Sequence, residues 1–317
     1  MLSALVVVGA ASALIFLAYR DELSLAQARV SQGARIVSTT SGPIEYAEKG
    51  AGIPLLSIHG AGGGYDLGLA NVADLVGDDF RVIAPSRFGY LGTPIPSDTS
   101  SASQADAHAV LLAELKVDKA IVVGISAGAR SALQLAARHP ERTAALILIV
   151  PGTYAPASPV AIEGSRASAL VLWFVNTGAD FAWWATEKIA PSILIRFIGV
   201  QPQLFASSPQ AEQNRVMQIV RSIEPLSRRF PGINVDSNPD LPPPSLEQIT
   251  VPTLVISARD DLFNTLPAAE FAASIIPNAK LVVYKTGGHL LVGRRQEVRD
   301  VIRNFLAKQL HSSASSG

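Results

Sequence analysis

The chain has 317 residues, with 26 Lys plus Arg against 26 Asp plus Glu, and no cysteine. That length suffices for one large α/β domain or two small ones. The charge balance removes any global electrostatic reason to expect nucleic acid or an acidic partner, and the missing cysteines exclude disulfides, thiolate metal sites and a cysteine nucleophile.

The first residues run uncharged and apolar from Leu2 to Tyr19, long enough at roughly 1.5 Å per residue to approach the thickness of a bilayer core. This predicts a membrane anchor or uncleaved signal segment over 1–22. One alternative is a cleaved signal with Ala26-Gln27-Ala28 as its site, although no Lys or Arg precedes the run. The other is a buried helix of a cytoplasmic protein. Arg20, Arg29 and Arg35 follow the run with Asp21 and Glu22 among them, which leaves the side of the membrane open.

Residues 35–151 read as the first part of an α/β core. "ARIVSTTSGPIEYAEKG" is two short strands around a Ser-Gly-Pro turn. "IPLLSIHG" follows as a buried strand, "LGLANVADLV" as a helix, "FRVIAPS" as a strand, and "SQADAHAVLLAELK" as a helix capped by Ser103. "KAIVVGIS" is the next strand, "ARSALQLAARHP" a helix stopped by Pro140, and "AALILIV" a strand. Val/Ile/Leu runs alternating with helices indicate a mostly parallel sheet covered by helices on both faces.

The rhythm breaks near Pro151 and resumes at "VPTLVISA". The interval, residues 152–248, holds all three tryptophans, helical stretches such as "SRASALVLWFVN" and "AEQNRVMQIVRSI", and a Pro/Asn-rich exit. It is expected to be a helical lid over the carboxyl ends of the strands, where open α/β sheets bind ligands. The core's second part, 249–311, contains the strand "VPTLVISA", the helix "LPAAEFAASII", the strand "AKLVVYKT" and a last helix from about Arg294 to Lys308. Residues 312–317 are expected to be a disordered tail.

Gly124-Ile125-Ser126-Ala127-Gly128 stands where "KAIVVGIS" ends and the next helix begins. A serine on such a sharp strand-to-helix turn exposes its hydroxyl, and the flanking glycines let strand and helix come close. A serine hydroxyl needs a base, usually histidine. Of five histidines, His59 lies in "HGAGGG", His108 within a helix, His139 before a proline and His311 in the tail. His289, in the glycine-bearing loop after a late strand, is the candidate base. "ARDD" offers Asp260 and Asp261 as the carboxylate that orients it, and strand alternation lets only one of them point there. The backbone N–H groups of Ala61 and Ala127 are candidate oxyanion donors, one from the glycine loop and one from the residue after the serine. "GAGGG" lacks the Lys-Ser/Thr of a phosphate loop, and no metal-ligand spacing is present, so no cofactor or metal is expected.

Taken in order, "HGAGGGYD", "APSRFGYLGTP", "VVGISAGARSALQLAARHPER", "TLVISARDD" and "TGGHLLVG" resemble the α/β-hydrolase fold superfamily over about 36–306 apart from the lid. In that family the acid follows a G-x-x-D pattern, here Ala258-Arg259-Asp260-Asp261. The resemblance thus implies Asp261, with Asp260 kept as the alternative. The loop and lid resemble carboxylesterases and the carbon-carbon bond hydrolases of aromatic degradation, and "SRFGYLGTP" resembles monoalkyl phthalate ester hydrolases.

The implied function is hydrolysis of small carboxylic esters through an acyl-enzyme on Ser126, with Asp261 and His289 completing the triad. Gly62, Trp173, Trp183 and Trp184 are candidate substrate contacts, and Arg87, Arg130 or Arg259 would face a substrate carboxylate. Tyr65, Asp66 and Tyr90 lie near the same loops. The alternatives are carbon-carbon bond hydrolysis with the same triad, or a non-catalytic binding protein of this fold. The expected partners are a small-molecule ester and a membrane, the latter through the N-terminal segment. Oligomeric state is left open.

Overall fold

The computed structural model describes residues 2–156, 180–237 and 245–314. Its strands are β1 (Arg35–Thr39), β2 (Gly42–Lys49), β3 (Ile53–Ile58), β4 (Phe80–Pro85), β5 (Ala120–Ile125), β6 (Thr143–Ile149), β7 (Thr253–Ala258) and β8 (Lys280–Tyr284). They form one sheet in the order β1-β2-β4-β3-β5-β6-β7-β8. β2 pairs antiparallel with β1 and β4, and every other neighbour is parallel.

Helices cover both faces, which explains why the strands read as unbroken apolar runs. On β5, Val122 packs in one cluster with Leu111 and Leu112 of α3 (Ser101–Glu114) and Leu133 and Leu135 of α4 (Ala129–Arg138). Its neighbours Ile121 and Val123 pack on the other side with Val72 of α2 (Tyr65–Ala73) and with Val298, Ile302 and Phe305 of the last helix. Period-two alternation therefore buries both faces of a single strand. β3 lies between β4 and β5, so the strand order reverses there. The loops after β3 and β5 border the crevice that such a reversal opens at the carboxyl ends of the strands.

Between β6 and β7 the chain leaves the sheet. The described helices of this insertion are α5 (Asp180–Ile189), α6 (Pro191–Phe197), α7 (Pro202–Ser207), α8 (Gln210–Ser222) and α9 (Phe230–Ser237). Trp183, Leu194, Ile195, Val216, Val220 and Ile223 form its apolar centre, which rests on Leu67 of α2 and on Val292. "SRASALVLWFVN" and residues 238–244 of the Pro/Asn-rich exit lie outside the described residues. α10 (Leu266–Ile275) joins β7 to β8, and α11 (Arg295–Ala314) closes the chain. The last helix thus reaches beyond the expected Lys308, and residues 312–314 are helical rather than a loose tail.

Two further expectations are corrected. The cap of α3 is Ser100, whose hydroxyl accepts the Ser103 N–H at 3.1 Å; Ser103 is inside the first turn, as the donor the cap satisfies. Among the described residues no helix is long and apolar enough to cross a membrane, so the anchor expected over 1–22 is not supported. The uncharged run from Leu2 to Tyr19 spans about 27 Å as a helix.

That run belongs to α1 (Leu2–Ser31), which exposes Leu5, Val6, Val7, Val8, Leu14, Ile15, Phe16 and Leu17. Its second half docks on the insertion. Tyr19 packs against Phe181 and Trp184, Lys188 donates to Glu22 at 2.7 Å, and Arg29 donates to the carbonyls of Ser222 and Glu224.

Candidate active site

β5 delivers Ser126 at its carboxyl end, and the chain turns there through a short 3-10 segment, Ser126–Gly128, into α4. Ser126 has φ of 51°, the left-handed region that costs a side-chain-bearing residue about 1–2 kcal/mol. The turn is held from two sides. The Ser126 carbonyl accepts the Gly152 N–H at 2.9 Å, and a Cβ on Gly60 would lie 2.9 Å from the Ser126 Cβ. Only glycine permits that approach of the loop after β3 to the serine.

β7 and β8 deliver the other two groups. His289 Nδ1 lies 2.8 Å from Asp261 Oδ2. Asp261 also accepts the Phe263 N–H at 2.9 Å and the Thr265 hydroxyl. Burial pushes this carboxyl up, but the His289 ring and the two donors outweigh it and hold its pKa below the ordinary value. Asp260 turns elsewhere and accepts the Gly288 N–H at 2.8 Å. Phe263 packs edge-on to the His289 ring with centroids 4.6 Å apart. Among the described residues the Ser126 hydroxyl has no hydrogen-bond partner, so serine and base stand at the same carboxyl edge of the sheet without the contact that ligand-free hydrolytic sites often lack.

The glycine loop is shaped by its own bonds. Gly63 N–H donates to the Gly60 carbonyl at 3.2 Å and Gly62 N–H to the Tyr90 hydroxyl at 3.3 Å. Gly62 and Gly63 are buried while Ala61 is exposed. His59 is fully buried: its Nε2 accepts the Arg87 N–H at 3.0 Å, and its Nδ1–H donates to the Gly60 carbonyl at 2.7 Å. Those partners require a neutral ring, and burial with the nearby Arg87 charge depresses its pKa well below the usual value.

The other expected contacts are placed differently. Arg87 is buried in a two-pronged pair with Asp236, at 2.8 and 2.5 Å, and its Nε donates to the His59 carbonyl at 2.9 Å. Its charge is already matched. Arg130 donates to the carbonyls of Gly152 and Asp236, and Arg259 is exposed.

Trp183 donates to the Val220 carbonyl within the insertion, and Trp184 packs against α1; both are buried in packing rather than presented as pocket walls. Trp173 lies outside the described residues. Tyr65 bonds the carbonyls of Arg29 and Gln32, while Asp66 pairs with Arg229. His108 is buried beside Ser131, and His139 pairs with Asp106. A cleft of about 320 Å³ adjoins the turn after Ser126, bordered by Ala127, Arg130, Ser131, Gln104, Ser100 and Asp236 among others. A second cleft, about 350 Å³, lies by the amino end of β7 and α11, remote from these groups.

Three residues escaped the sequence reading. The Gly199 carbonyl accepts the N–H of both Leu262 and His289, at 3.3 and 3.0 Å, so the insertion ties the acid-bearing loop to the base-bearing loop. Arg229, also from the insertion, bonds the Gly63 carbonyl of the glycine loop, and Asp236 reaches that loop through Tyr90. A lone Gly, Asp or Arg in a helical insertion carries no local signal of such a role.

A family described as alpha/beta hydrolase fold matches residues 53–293. The chain is 29% identical over 275 residues to 2-hydroxymuconate semialdehyde hydrolase of Pseudomonas putida, covering 84% of this chain and 92% of that one. It is 26% identical to 2-hydroxy-6-oxo-6-phenylhexa-2,4-dienoate hydrolase of Comamonas testosteroni, covering 78% and 84%. Among solved structures, an alpha/beta hydrolase fold protein from Nakamurella multipartita superposes with a TM-score of 0.72 at 28% identity, covering 86% and 98%.

Proposed function

The chain belongs to the alpha/beta hydrolase fold family, and from that premise we propose that this hydrolase cleaves small apolar or aromatic carboxylic esters through an acyl-enzyme on Ser126. The observation that carries this reading is the Asp261–His289 pair at 2.8 Å, in the loops after β7 and β8 at the same carboxyl edge of the sheet as the strained turn that presents Ser126. His289, held in one tautomer by Asp261, takes the Ser126 proton as Oγ attacks the ester carbonyl. Negative charge develops on the carbonyl oxygen, and the Ala61 and Ala127 N–H groups stabilise it. The tetrahedral intermediate expels the alcohol with the proton from His289. Water, deprotonated by the same base, then releases the acid and frees the serine. The insertion acts as a lid over this site.

A second reading has its own support. Both curated relatives above are named as hydrolases of semialdehyde or oxo-dienoate compounds, which favours cleavage of a carbon-carbon bond beside a ketone with the same serine, base and oxyanion donors. Arg87 is already matched by Asp236, which weakens the idea of a receptor arginine for a phthalate monoester.

One experiment separates these readings. The full chain and Ser126→Ala are assayed on p-nitrophenyl butyrate, monobutyl phthalate, dibutyl phthalate and a 2-hydroxy-6-oxo-dienoate. Ser126-dependent ester turnover supports the first reading. Turnover of the dienoate alone replaces it with the second.

A further inference from the structure

Two peptide groups beyond Ala61, those of the Gly62 N–H and the Gly63 carbonyl, are each held by a side chain anchored in the insertion. On one side, Gly62 N–H donates to the Tyr90 hydroxyl, which donates to Asp236 Oδ2 at 2.5 Å. Asp236 also receives both prongs of Arg87, and Arg87 in turn binds His59 through its backbone N–H and its Nε. On the other side, Arg229 donates to the Gly63 carbonyl at 2.7 Å and to both oxygens of Asp66 at 3.1 and 2.7 Å. Its remaining donors go to the carbonyls of Ile223 and Ser222, 2.9 and 2.8 Å away.

The groups that do the holding are buried: Arg229, Tyr90 and His59 have zero exposure, and Asp236 has 4%. Buried charges of this kind raise no stability by themselves, since desolvation offsets their attraction. What they supply is geometry. A loop rich in glycine has many conformations of similar energy, and fixing two peptides just beyond the Ala61 N–H selects among them.

We propose that Asp236, through Tyr90, and Arg229 are positioning residues that hold the 59–64 loop with the Ala61 N–H aimed at the oxyanion, so that the oxyanion site is complete only when the insertion is docked. This rests on the serine hydrolase reading above. The residues touch no reacting atom; they act through the loop. Asp236 is kept ionised, below its ordinary pKa despite burial, chiefly by Arg87, and so remains a pure acceptor for Tyr90.

The test is Tyr90→Phe, which deletes one hydroxyl and leaves the Arg87–Asp236 pair in place, alongside Arg229→Gln. The readouts are the rate constant for labelling of Ser126 by a fluorophosphonate, kcat and KM on the best substrate, thermal unfolding, and hydrogen exchange of the peptide covering 59–66. A displaced oxyanion donor slows labelling and kcat about 10- to 100-fold, with KM within about twofold and faster exchange in 59–66. A merely structural role would lower the melting temperature and leave the labelling rate of the folded protein unchanged, and that result overturns the proposal. If Arg229→Gln does not fold, Tyr90→Phe decides alone. If wild-type Ser126 takes no label, the serine hydrolase reading falls first and the positioning role falls with it, whereas a labelled, wild-type-like Tyr90→Phe sinks the positioning role only.

Discussion

Asp261 Oδ2 and His289 Nδ1 meet at 2.8 Å, while Asp260, one residue earlier, accepts the Gly288 backbone N–H instead. The two neighbouring carboxylates therefore face different atoms of one loop: Asp261 the imidazole, Asp260 the peptide that precedes it. Replacing Asp261 by Asn keeps the shape but offers the ring the wrong partner, and kcat is expected to fall about 10³- to 10⁴-fold. Asp260→Asn weakens one loop bond and is expected to cost less than about tenfold in kcat. Steady-state kinetics on both variants checks this; equal losses would mean the two aspartates share the role.

The turn at Ser126 predicts a steric penalty at its glycines. A Cβ on Gly128 would lie 2.4 Å from the His59 carbonyl oxygen and 2.6 Å from that of Ile58, and one on Gly124 would lie 2.5 Å from the Ala132 Cβ. Backbone oxygens cannot swing aside as a flexible side chain does. Gly128→Ala is expected to destabilise by about 1–3 kcal/mol and to lower kcat as the loop after β3 is displaced. Urea unfolding with kinetics measures both, and a variant with unaltered stability would show that the loop yields freely.

Two buried histidines predict acid sensitivity. His59 is depressed well below its usual pKa and His108 to about 3, both chiefly by burial. Because the folded values lie below the unfolded value of about 6.5, the stability they support is complete above that pH and is lost as pH falls. Each uncharged ring contributes a slope of about 1.4 kcal/mol per pH unit below it. His108→Gln should reduce the slope between pH 6 and 4 by about that amount; an unchanged slope would show that His108 stays neutral in the unfolded chain or takes up its proton in the folded one.

Glu224 acts in the opposite direction. It is 8% exposed where α1 meets the insertion, and burial, then the charges of Glu187 and Glu22, push its pKa up to about 7, with Asp180 adding to this and Lys188 opposing it. With the folded value above the ordinary 4.5, stability is intact below about pH 4.5 and is lost as pH rises towards about 7, beyond which the loss is constant. Glu224→Gln should therefore raise the melting temperature at pH 8 by about 2–4 °C and leave it unchanged near pH 4.5. Calorimetry at the two pH values decides it, and an equal gain at both would place the effect in packing rather than charge.

The alternation of Val/Ile runs with helical stretches was enough to place β3 to β8 and the helices on both faces, because a strand buried on both sides must be apolar throughout. Ser126, His289 and the aspartate pair were legible for a related reason: each follows a strand directly, so its position in the chain is also its position at the carboxyl edge. Ser103 was misread as a cap because Ser100, Ser101 and Ser103 are chemically alike, and only the bond to the Ser103 N–H separates them. The tryptophans looked like pocket walls because composition does not say which side of a helix meets solvent, ligand or neighbour. Trp183 and Trp184 instead meet the insertion's centre and α1.

What the amino-acid sequence determined by itself was local: the periodicities, the glycine-flanked serine, and the chain order of serine, acid and base. What tertiary structure alone decided was which of two adjacent aspartates meets His289, that Arg229 reaches the glycine loop from 166 residues away along the chain, and that Asp236 holds Tyr90 from 146 residues away. The physical reason is the range of the interactions. Strand and turn preferences arise between near neighbours and leave a pattern in the sequence, whereas a buried arginine or aspartate draws its partners from whatever the completed fold brings within 3 Å.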